Sequence, residues 1–224
     1  MKKLIKISLF LALLCFFWIT ASAVRARVFY HGDRKENKIY LTFDDVYSAV
    51  NTKKILNVLK EKNVPATFFI EGGFLTENPL LCKRIVEEQT LASHTFSHTD
   101  ITKMSDEKFV EDIKKFEEEA LKITGKPVTK YFRPPMGIFN EDKLNLLGDL
   151  GYTVFMWDVS YYDYVPDKDN GYAFALNNLL NKTENGSIIL MHTLTKSNAD
   201  VLAEAIDLLQ SKGFVFSKLD NLIN

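Results

Sequence analysis

The sequence predicts an α/β protein with a parallel sheet of six or seven strands, and three observations support this fold class. Short apolar runs rich in β-branched and aromatic residues recur along the chain, and helical patterns lie between them. No internal repeat or Pro/Gly/Ser-rich linker follows residue 38. Strands that alternate with helices are joined by right-handed crossovers, so we expect a single domain with its strands parallel.

The first 23 residues stand apart from this pattern. Lys2, Lys3 and Lys6 precede an apolar run over residues 7–19, and three small residues occupy positions 21–23. This order is typical of a cleaved signal peptide, so we expect export to the cell wall or another extracytoplasmic space. An uncleaved signal that anchors the chain in the membrane is the alternative, although the run is shorter than the ~20 residues that span a bilayer. We expect a short N-terminal segment at 24–36 and the domain at 37–222.

Composition limits both the partners and the means of stabilisation. Cleavage removes Cys15 and leaves Cys82 alone, so no intramolecular disulfide is possible and the core must supply the stability. The full chain has a net charge of −1, and loss of three signal lysines makes it more acidic. We therefore expect no binding to nucleic acid.

The apolar runs predict the strands in order. They occupy residues 39–43, 66–70, 131–132, 153–157, 187–191 and 215–216, with a further very short strand at 91–93. Helices are predicted at 52–62 and 106–124 from apolar residues spaced three and four apart. A capping box formed by Ser197 and Asp200 predicts the start of the last helix, and Gly213 predicts its end.

Polar residues follow several of these strands. In parallel folds, the carboxyl ends of the strands meet at one edge, where the chemistry usually lies. A helix-capping turn, satisfied loop histidines or a turn-anchoring arginine could explain each residue singly. Their common placement favours a functional site instead, whereas His31 lies at the other edge. The residues at this rim are Asp44, Asp45, His94, His98, Arg133, Asp163 and His192.

The spacing of His94 and His98 indicates metal binding. Two imidazoles four positions apart can face the same way on one turn, and a carboxylate at the end of a buried strand can complete a three-ligand site. Open positions on such a metal admit water and substrate. The pattern therefore favours a hydrolase, with a non-haem iron oxygenase as an alternative of another reaction class.

Five short motifs, in this order, resemble those of the polysaccharide deacetylase family, also called carbohydrate esterase family 4 or the NodB-homology domain. The resemblance covers roughly residues 37–222 and implies a distorted (β/α) barrel with about seven parallel strands. It also implies removal of N- or O-acetyl groups from a polysaccharide with a divalent metal, usually zinc, with cobalt or manganese as alternatives. The motifs are residues 42–45 (Thr-Phe-Asp-Asp), 94–98 (His-Thr-Phe-Ser-His), 133–137 (Arg-Pro-Pro-Met-Gly), Asp163 and 190–192 (Leu-Met-His).

Three further stretches are similar to the subgroup that makes muramic δ-lactam in peptidoglycan. They lie at residues 123–126, around 171–175 and at 192–199. This subgroup resemblance implies action on N-acetylmuramic acid whose stem peptide has been removed, a muramoyl-alanine amidase as functional partner and a role in sporulation. An N-acetylglucosamine or chitooligosaccharide deacetylase is the first alternative, and a non-catalytic cell-wall binding protein is the second. We expect a monomer acting on a peptidoglycan glycan strand.

The chain departs from the family pattern at three positions. Val46 replaces the usual glycine after the aspartate pair, Tyr164 replaces a tryptophan after the fourth-motif aspartate, and Asp45 stands where the lactam-forming subgroup often has asparagine. Valine is unfavourable where φ must be positive. A carboxylate at position 45 favours tight metal binding and weakens the subgroup assignment.

Amide hydrolysis predicts a role for each residue. It requires an activated water, stabilisation of an oxyanion and protonation of the departing amine. We assign Asp45, His94 and His98 to the metal and Asp44 to the general base. His192, expected on the opposite side of the rim, is the general acid.

Supporting roles fall to the remaining motif residues. Asp163 orients His192, and Arg133 holds Asp44 ionised. The resemblance implies a backbone oxyanion contact at Met136. Apolar faces for the sugar are expected among Phe132, Trp157, Tyr161, Tyr162 and Tyr164, with a place in the core as the alternative. The other expected substrate contacts are Pro134 and Leu190.

Overall fold

A computed structural model of the chain describes residues 24–45, 48–165 and 168–223, with the backbone alone at Asp45. The expected signal peptide and the departure at Val46 lie outside the described residues. Within them, no helix is both long and apolar enough to cross a membrane.

The described residues form one eight-stranded sheet in which every paired strand is parallel to its neighbour. The α/β class and the parallel sheet predicted from the sequence are confirmed. The strands are β1 (Val28–Phe29), β2 (Lys38–Asp45), β3 (Ala66–Ile70), β4 (Thr90–Ser93), β5 (Tyr131–Phe132), β6 (Thr153–Phe155), β7 (Ile188–His192) and β8 (Val215–Phe216).

The sheet curls into a distorted barrel. Its order is β1-β6-β5-β4-β3-β2-β7, with β8 paired to the start of β2. After β6, the chain moves across to β7, where Val159 forms a parallel bridge with Ile189. On the other flank, His31 forms an antiparallel bridge with Ser187, just before β7. These two contacts bring the ends of the sheet together.

Seven α-helices alternate with the strands among the described residues. The two helices predicted with explicit bounds are confirmed: the 106–124 helix has the expected bounds, and the first helix begins three residues earlier than predicted. The helices are α1 (Ala49–Lys62), α2 (Gly72–Glu77), α3 (Pro79–Glu88), α4 (Asp106–Thr124), α5 (Glu141–Asp149), α6 (Tyr172–Lys182) and α7 (Lys196–Ser211).

Three details of the predicted pattern are wrong. Strand β1 (Val28–Phe29), which lies inside the expected N-terminal segment 24–36, was not predicted, and it pairs with β6. The predicted strand at 153–157 ends at Phe155, because the chain then crosses to β7. The expected capping box is absent, since Ser197 lies inside α7 and its backbone N–H donates to Asp169 at 2.9 Å.

Alternation along the strands divides the core into two layers. In β2, Leu41 and Phe43 pack outward in the cluster that includes the helices, whereas Tyr40 packs inside the barrel with Phe69 and Ile188. Residues two apart share a face of a strand. Asp44 in β2 and His192 in β7 therefore continue the inner face to the carboxyl end of the barrel.

Helix α2 lies unusually close to the chain segment that follows β4. The N–H of Gly72 donates to the carbonyl of Phe96 at 3.0 Å. A Cβ atom at Gly72 would lie 2.5 Å from the ring and from the carbonyl oxygen of Phe96. The position therefore accepts no side chain unless the 94–98 turn moves.

Substitution of Gly72 by alanine is expected to destabilise the fold, although alanine is normally the better helix former. Overpacking of this kind costs about 1–3 kcal/mol. Gly73→Ala in the same helix is the matched control, because its Cβ meets only the end of the flexible Glu71 side chain. Urea unfolding should show a loss for Gly72→Ala and little change or a small gain for Gly73→Ala. Equal stabilities of the two variants would contradict the close approach.

Candidate active site

A cavity of about 500 Å³ opens at the carboxyl end of the barrel. Strand alternation places Asp44, Leu190 and His192 on its inner wall, and the loops after β4, β5 and β6 supply the other walls. The lining residues are Asp44, His94, His98, Met136, Trp157, Ser160, Tyr161, Tyr164, Leu190 and His192.

The base of the site is a buried ion pair between Asp44 and Arg133. Arg133 Nη1 donates to Asp44 Oδ1 at 2.8 Å, and both side chains are almost wholly buried. Burial alone would raise the pKa of Asp44, but the charge of Arg133, with smaller contributions from His94 and His192, lowers it below 3.8. Asp44 is therefore a carboxylate at neutral pH.

Arg133 is held by two carbonyl groups at the end of β6 and by the ring of Phe69 on β3. Its Nε donates to the carbonyl of Phe155 at 2.9 Å, and its Nη2 donates to the carbonyl of Met156 at 3.0 Å. The guanidinium also lies 4.2 Å from the centroid of the Phe69 ring. These contacts fix the charge that keeps Asp44 ionised.

One ring nitrogen of His94 is hydrogen-bonded to the backbone, and the other faces the carboxylate of Asp44. Its Nδ1 lies 2.8 Å from the carbonyl oxygen of Arg133, which selects the tautomer with hydrogen on Nδ1. Its Nε2 lies 3.5 Å from Asp44 Oδ2. Burial is the main reason that the pKa of His94 falls to about 4. The ring is therefore neutral at pH 7, the form that binds metals.

His98 lies beside His94, with 5.0 Å between the ring centroids. Burial lowers its pKa as well. The backbone of Asp45 ends β2 opposite Ile70, while its side chain lies outside the described atoms. No group of three metal-binding side chains is found among the described residues, which do not include that carboxylate. Two neutral imidazoles beside a carboxylate nevertheless fit a divalent cation.

A residue that sequence reasoning missed, Asp112 on α4, shapes the turn between these histidines. Its two carboxylate oxygens accept hydrogen bonds from the N–H groups of Phe96 at 2.7 Å and Ser97 at 3.0 Å. Thr95 and His98 have positive φ angles of 69° and 51°. Asp112 lies among the buried apolar residues of α4, and an acidic residue on that face was the available signal.

His192 is paired with Asp163 as predicted. The distance from His192 Nδ1 to Asp163 Oδ1 is 2.8 Å, and Asp163 Oδ2 accepts the backbone N–H of His192 at 2.9 Å. Burial lowers the pKa of His192, but the hydrogen bond and the charge of Asp163 outweigh it, so that the net shift is upward from 6.5. The ring nitrogen left over, Nε2, is free to exchange a proton in the cavity.

The expected position of His192 across the rim from Asp44 is wrong. The two residues are register partners on neighbouring strands, because β7 pairs directly with β2. Sequence order placed them in the first and sixth predicted strands and gave no sign that the last strands return to the first. The acid and base candidates are therefore adjacent.

Four of the five expected substrate contacts lie at the cavity and one does not. Met136, Trp157, Tyr164 and Leu190 line the cavity, whereas Pro134 is buried and does not. Pro134 instead accepts the N–H of Gly137 in the turn that carries Met136, whose φ is 57°.

The other three aromatic candidates differ in their burial. Phe132 is a core residue, Tyr161 is buried but reaches the lining, and Tyr162 is exposed beside Tyr164. Of the aromatic residues that the structure describes, Trp157 and Tyr164 combine cavity lining with appreciable exposure. They are the better candidates for contact with a sugar ring.

Comparison with known proteins agrees with this geometry. A family model described as polysaccharide deacetylase matches residues 31–155. The structure of Bacillus subtilis PdaA, a family 4 carbohydrate esterase, is similar with a TM-score of 0.85 at 36% identity, covering 88% of this chain and 84% of that one. A family 4 carbohydrate esterase from Bacillus anthracis gives 0.76 at 40% identity, covering 88% and 86%.

Two relatives carry names that state a substrate. PdaA of B. subtilis, named peptidoglycan-N-acetylmuramic acid deacetylase, is 37% identical over 196 residues, which are 87% of this chain and 74% of PdaA. PgdA of Listeria monocytogenes, named peptidoglycan-N-acetylglucosamine deacetylase, is 34% identical over 191 residues, 84% of this chain but 39% of PgdA. Deacetylases of family 4 generally depend on a divalent metal. With its barrel, its paired acid and base candidates and these relatives, the chain belongs to the polysaccharide deacetylase family and is a hydrolase of polysaccharide N-acetyl groups.

Proposed function

We propose that the protein removes the N-acetyl group from N-acetylmuramic acid of peptidoglycan, as a step towards muramic δ-lactam. The observation that supports this reaction is that an ionised Asp44 and a protonatable His192 line the same cavity. The choice of sugar is supported by the identity with PdaA and by the resemblance of residues 192–199 to the lactam-forming subgroup.

Asp44 supplies the base. Its Oδ1 is occupied by Arg133, whereas its Oδ2 faces the cavity side near His94 Nε2. Asp44 Oδ2 takes a proton from the attacking water as the oxygen of that water bonds to the acetyl carbon. A carboxylate that stays ionised at neutral pH is ready for this transfer.

His192 supplies the acid. Its Nδ1 is bound to Asp163, so Nε2 donates the proton to the sugar nitrogen as the carbon–nitrogen bond breaks. Acetate and a free amine are the products. Asp163 stabilises the imidazolium form before the transfer and keeps the ring in place.

Asp45, His94 and His98 would hold a divalent metal, zinc in our proposal with cobalt or manganese as alternatives, and its Lewis acidity would polarise the acetyl carbonyl and acidify water. We assign the backbone N–H of Met136 to the oxyanion as a second donor. Trp157 and Tyr164 present ring faces to the sugar, and Leu190 gives the acetyl methyl group an apolar contact.

Three other functions are less well supported. Deacetylation of N-acetylglucosamine, the activity in the name of PgdA, uses the same residues and differs only in the sugar. A non-catalytic cell-wall binding protein would need neither the Asp44–Arg133 pair nor the His192–Asp163 pair. An oxygenase would leave both pairs unexplained.

The proposed substrate also defines a place in the cell. We propose that the protein is exported, acts as a monomer on the glycan strand and follows a muramoyl-alanine amidase. Deacetylation frees an amine next to the lactyl carboxyl group, and a lactam can close only when no stem peptide occupies that carboxyl. We also propose that the protein is expressed during sporulation.

The metal assignment predicts that the mature protein binds one divalent ion. His98→Ala should lose most of the affinity for the metal, because one of the three assigned ligands is removed. The variant should remain folded. His31→Ala is the matched control, since the His31 side chain is exposed. Its Nδ1 contacts the carbonyl oxygen of Gly32, and its backbone forms a bridge with Ser187. Elemental analysis after dialysis measures the metal, and circular dichroism checks the fold. An active wild-type enzyme without metal would refute the assignment.

The acid and base assignment predicts losses of roughly 10²- to 10⁴-fold in turnover for Asp44→Asn and for His192→Gln, with the bound metal retained. Asp44→Asn keeps the size of the side chain but removes the charge beside Arg133, and His192→Gln removes the ring nitrogen that faces the cavity, so circular dichroism checks that each variant is folded. Acetate release measures turnover, and elemental analysis of the same samples measures the metal. A variant that releases acetate at the wild-type rate would remove its residue from the mechanism.

The substrate proposal predicts the product of a two-enzyme reaction. Peptidoglycan treated with a muramoyl-alanine amidase and then with this protein should contain muramic δ-lactam, detected by mass spectrometry as loss of an acetyl group and one water. The Asp44→Asn variant is the control and should give none. Deacetylated glucosamine with intact muramic residues would keep the family and overturn the choice of sugar.

A further inference from the structure

Asn198 on α7 connects the His192–Asp163 pair to the rest of the fold. The side chain is 1% exposed. Its Nδ2 donates to Asp163 Oδ2 at 2.6 Å and to the carbonyl of His192 at 2.8 Å, and its Oδ1 accepts the hydroxyl of Tyr161 at 2.7 Å. Both amide hydrogens and the amide oxygen are therefore engaged, and the orientation of the amide is fixed.

The two oxygens of Asp163 have separate tasks. Oδ1 faces His192 Nδ1, whereas Oδ2 accepts from the backbone N–H of His192 and from Asn198. The contacts of Asp163 with His192 hold the two residues to each other but do not fix the carboxylate against the rest of the fold. The contact from Asn198 is the side-chain interaction that sets the plane of the carboxylate and the direction of Oδ1.

We propose that Asn198 is a positioning residue for the general acid: it holds Asp163 in the plane that keeps His192 Nδ1 bonded to Asp163 and His192 Nε2 facing the cavity. This inference rests on the proposed role of His192. Asn198 does not line the cavity and acts only through Asp163 and the His192 carbonyl.

The chemistry of the position explains why an amide is present. A carboxylate there would lie at 2.6 Å from Asp163 Oδ2 and repel it, and an alkyl side chain would leave the Tyr161 hydroxyl without its acceptor. Burial, with the charges of Asp163 and Asp169, raises the pKa of Tyr161 well above 10. Tyr161 is therefore a hydrogen donor, and it forces Asn198 to present its NH₂ group to Asp163.

Several charged groups face His192. Asp163 and Asp44 favour its protonated form, while Arg133 opposes it, and the ring of Tyr164 lies 5.8 Å away. His98 is the remaining titratable neighbour. Misaligning Asp163 weakens the largest favourable contribution, and the pKa of His192 then falls. Since a general acid must be protonated to act, the alkaline limb of the rate profile moves to lower pH.

The test uses zinc-loaded protein and the variants Asn198→Leu and Asn198→Asp. Asn198→Leu should lower kcat roughly tenfold to a hundredfold, the range found for groups that orient functional residues, with KM nearly unchanged. Its alkaline limb should move to lower pH. Asn198→Asp should recover activity as the pH falls, because a protonated carboxyl group can again donate to Asp163. If Asn198→Leu does not fold, this recovery tests the inference by itself.

Asn51→Leu is the matched control. Asn51 Nδ2 donates to the carbonyls of Thr193 at 2.9 Å and Leu194 at 3.1 Å, so it supports the same loop without touching Asp163. It should leave the pH profile unchanged. An equal shift in Asn51→Leu, or a wild-type profile in Asn198→Leu, would overturn the inference.

Nitrogen-15 NMR of the His192 ring separates this inference from the proposed function. Asn198→Leu should lower the pKa of His192 and mix its tautomers even if no substrate is turned over. A shifted ring in a protein that deacetylates nothing would keep the positioning role and refute the proposed function. An active enzyme in which Asn198→Leu leaves the His192 ring unchanged would keep the proposed function and refute the positioning role.

Discussion

Burial of the Arg133 guanidinium beside Asp44 is the interaction on which the active end of the barrel depends. Two buried charges are tolerated only when their remaining hydrogen-bonding groups are satisfied, and the carbonyls of Phe155 and Met156 do this for Arg133. The carbonyl of Arg133 itself then orients His94. One residue thus sets the ionisation of the proposed base and the tautomer of a proposed metal ligand. Removal of either charged partner would leave the other unpaired, which typically costs about 3–5 kcal/mol.

The parallel sheet explains how these groups meet. Inner residues of β2 and β7 alternate with residues packed against the helices, so Asp44 and His192 reach the cavity from the same face of neighbouring strands. The loops then add one function each: the turn after β4 carries the histidines, the turn after β5 carries Met136, and the loop after β6 carries Asp163 and Tyr164. Asp112 on α4 accepts hydrogen bonds from the turn after β4, and Asn198 on α7 donates to Asp163 in the loop after β6.

Much of this organisation was predictable from local pattern. The apolar run of β3 and the spacing of α4 gave correct bounds, because burial on both faces and a 3.6-residue period leave strong signals. The residues Asp44, His94, Arg133, Asp163 and His192 were placed at one rim correctly. Contacts between distant segments were not predictable: β1 has two residues, Asp169 replaces the expected cap of α7, and the adjacency of β2 and β7 depends on how the barrel closes.

The cap that Asp169 provides has a wider consequence. Its carboxylate joins the loop after β6 to the first turn of α7, accepting the N–H groups of Gly171 and Ser197. The loop bears Tyr164, the proposed contact with the sugar, and the helix bears Asn198, the proposed support of the general acid. Selection for a different sugar through this loop would therefore also change the strength of the acid. Substrate range and pH optimum are expected to evolve together in this enzyme, and a loop exchanged from a relative would need its own helix partner.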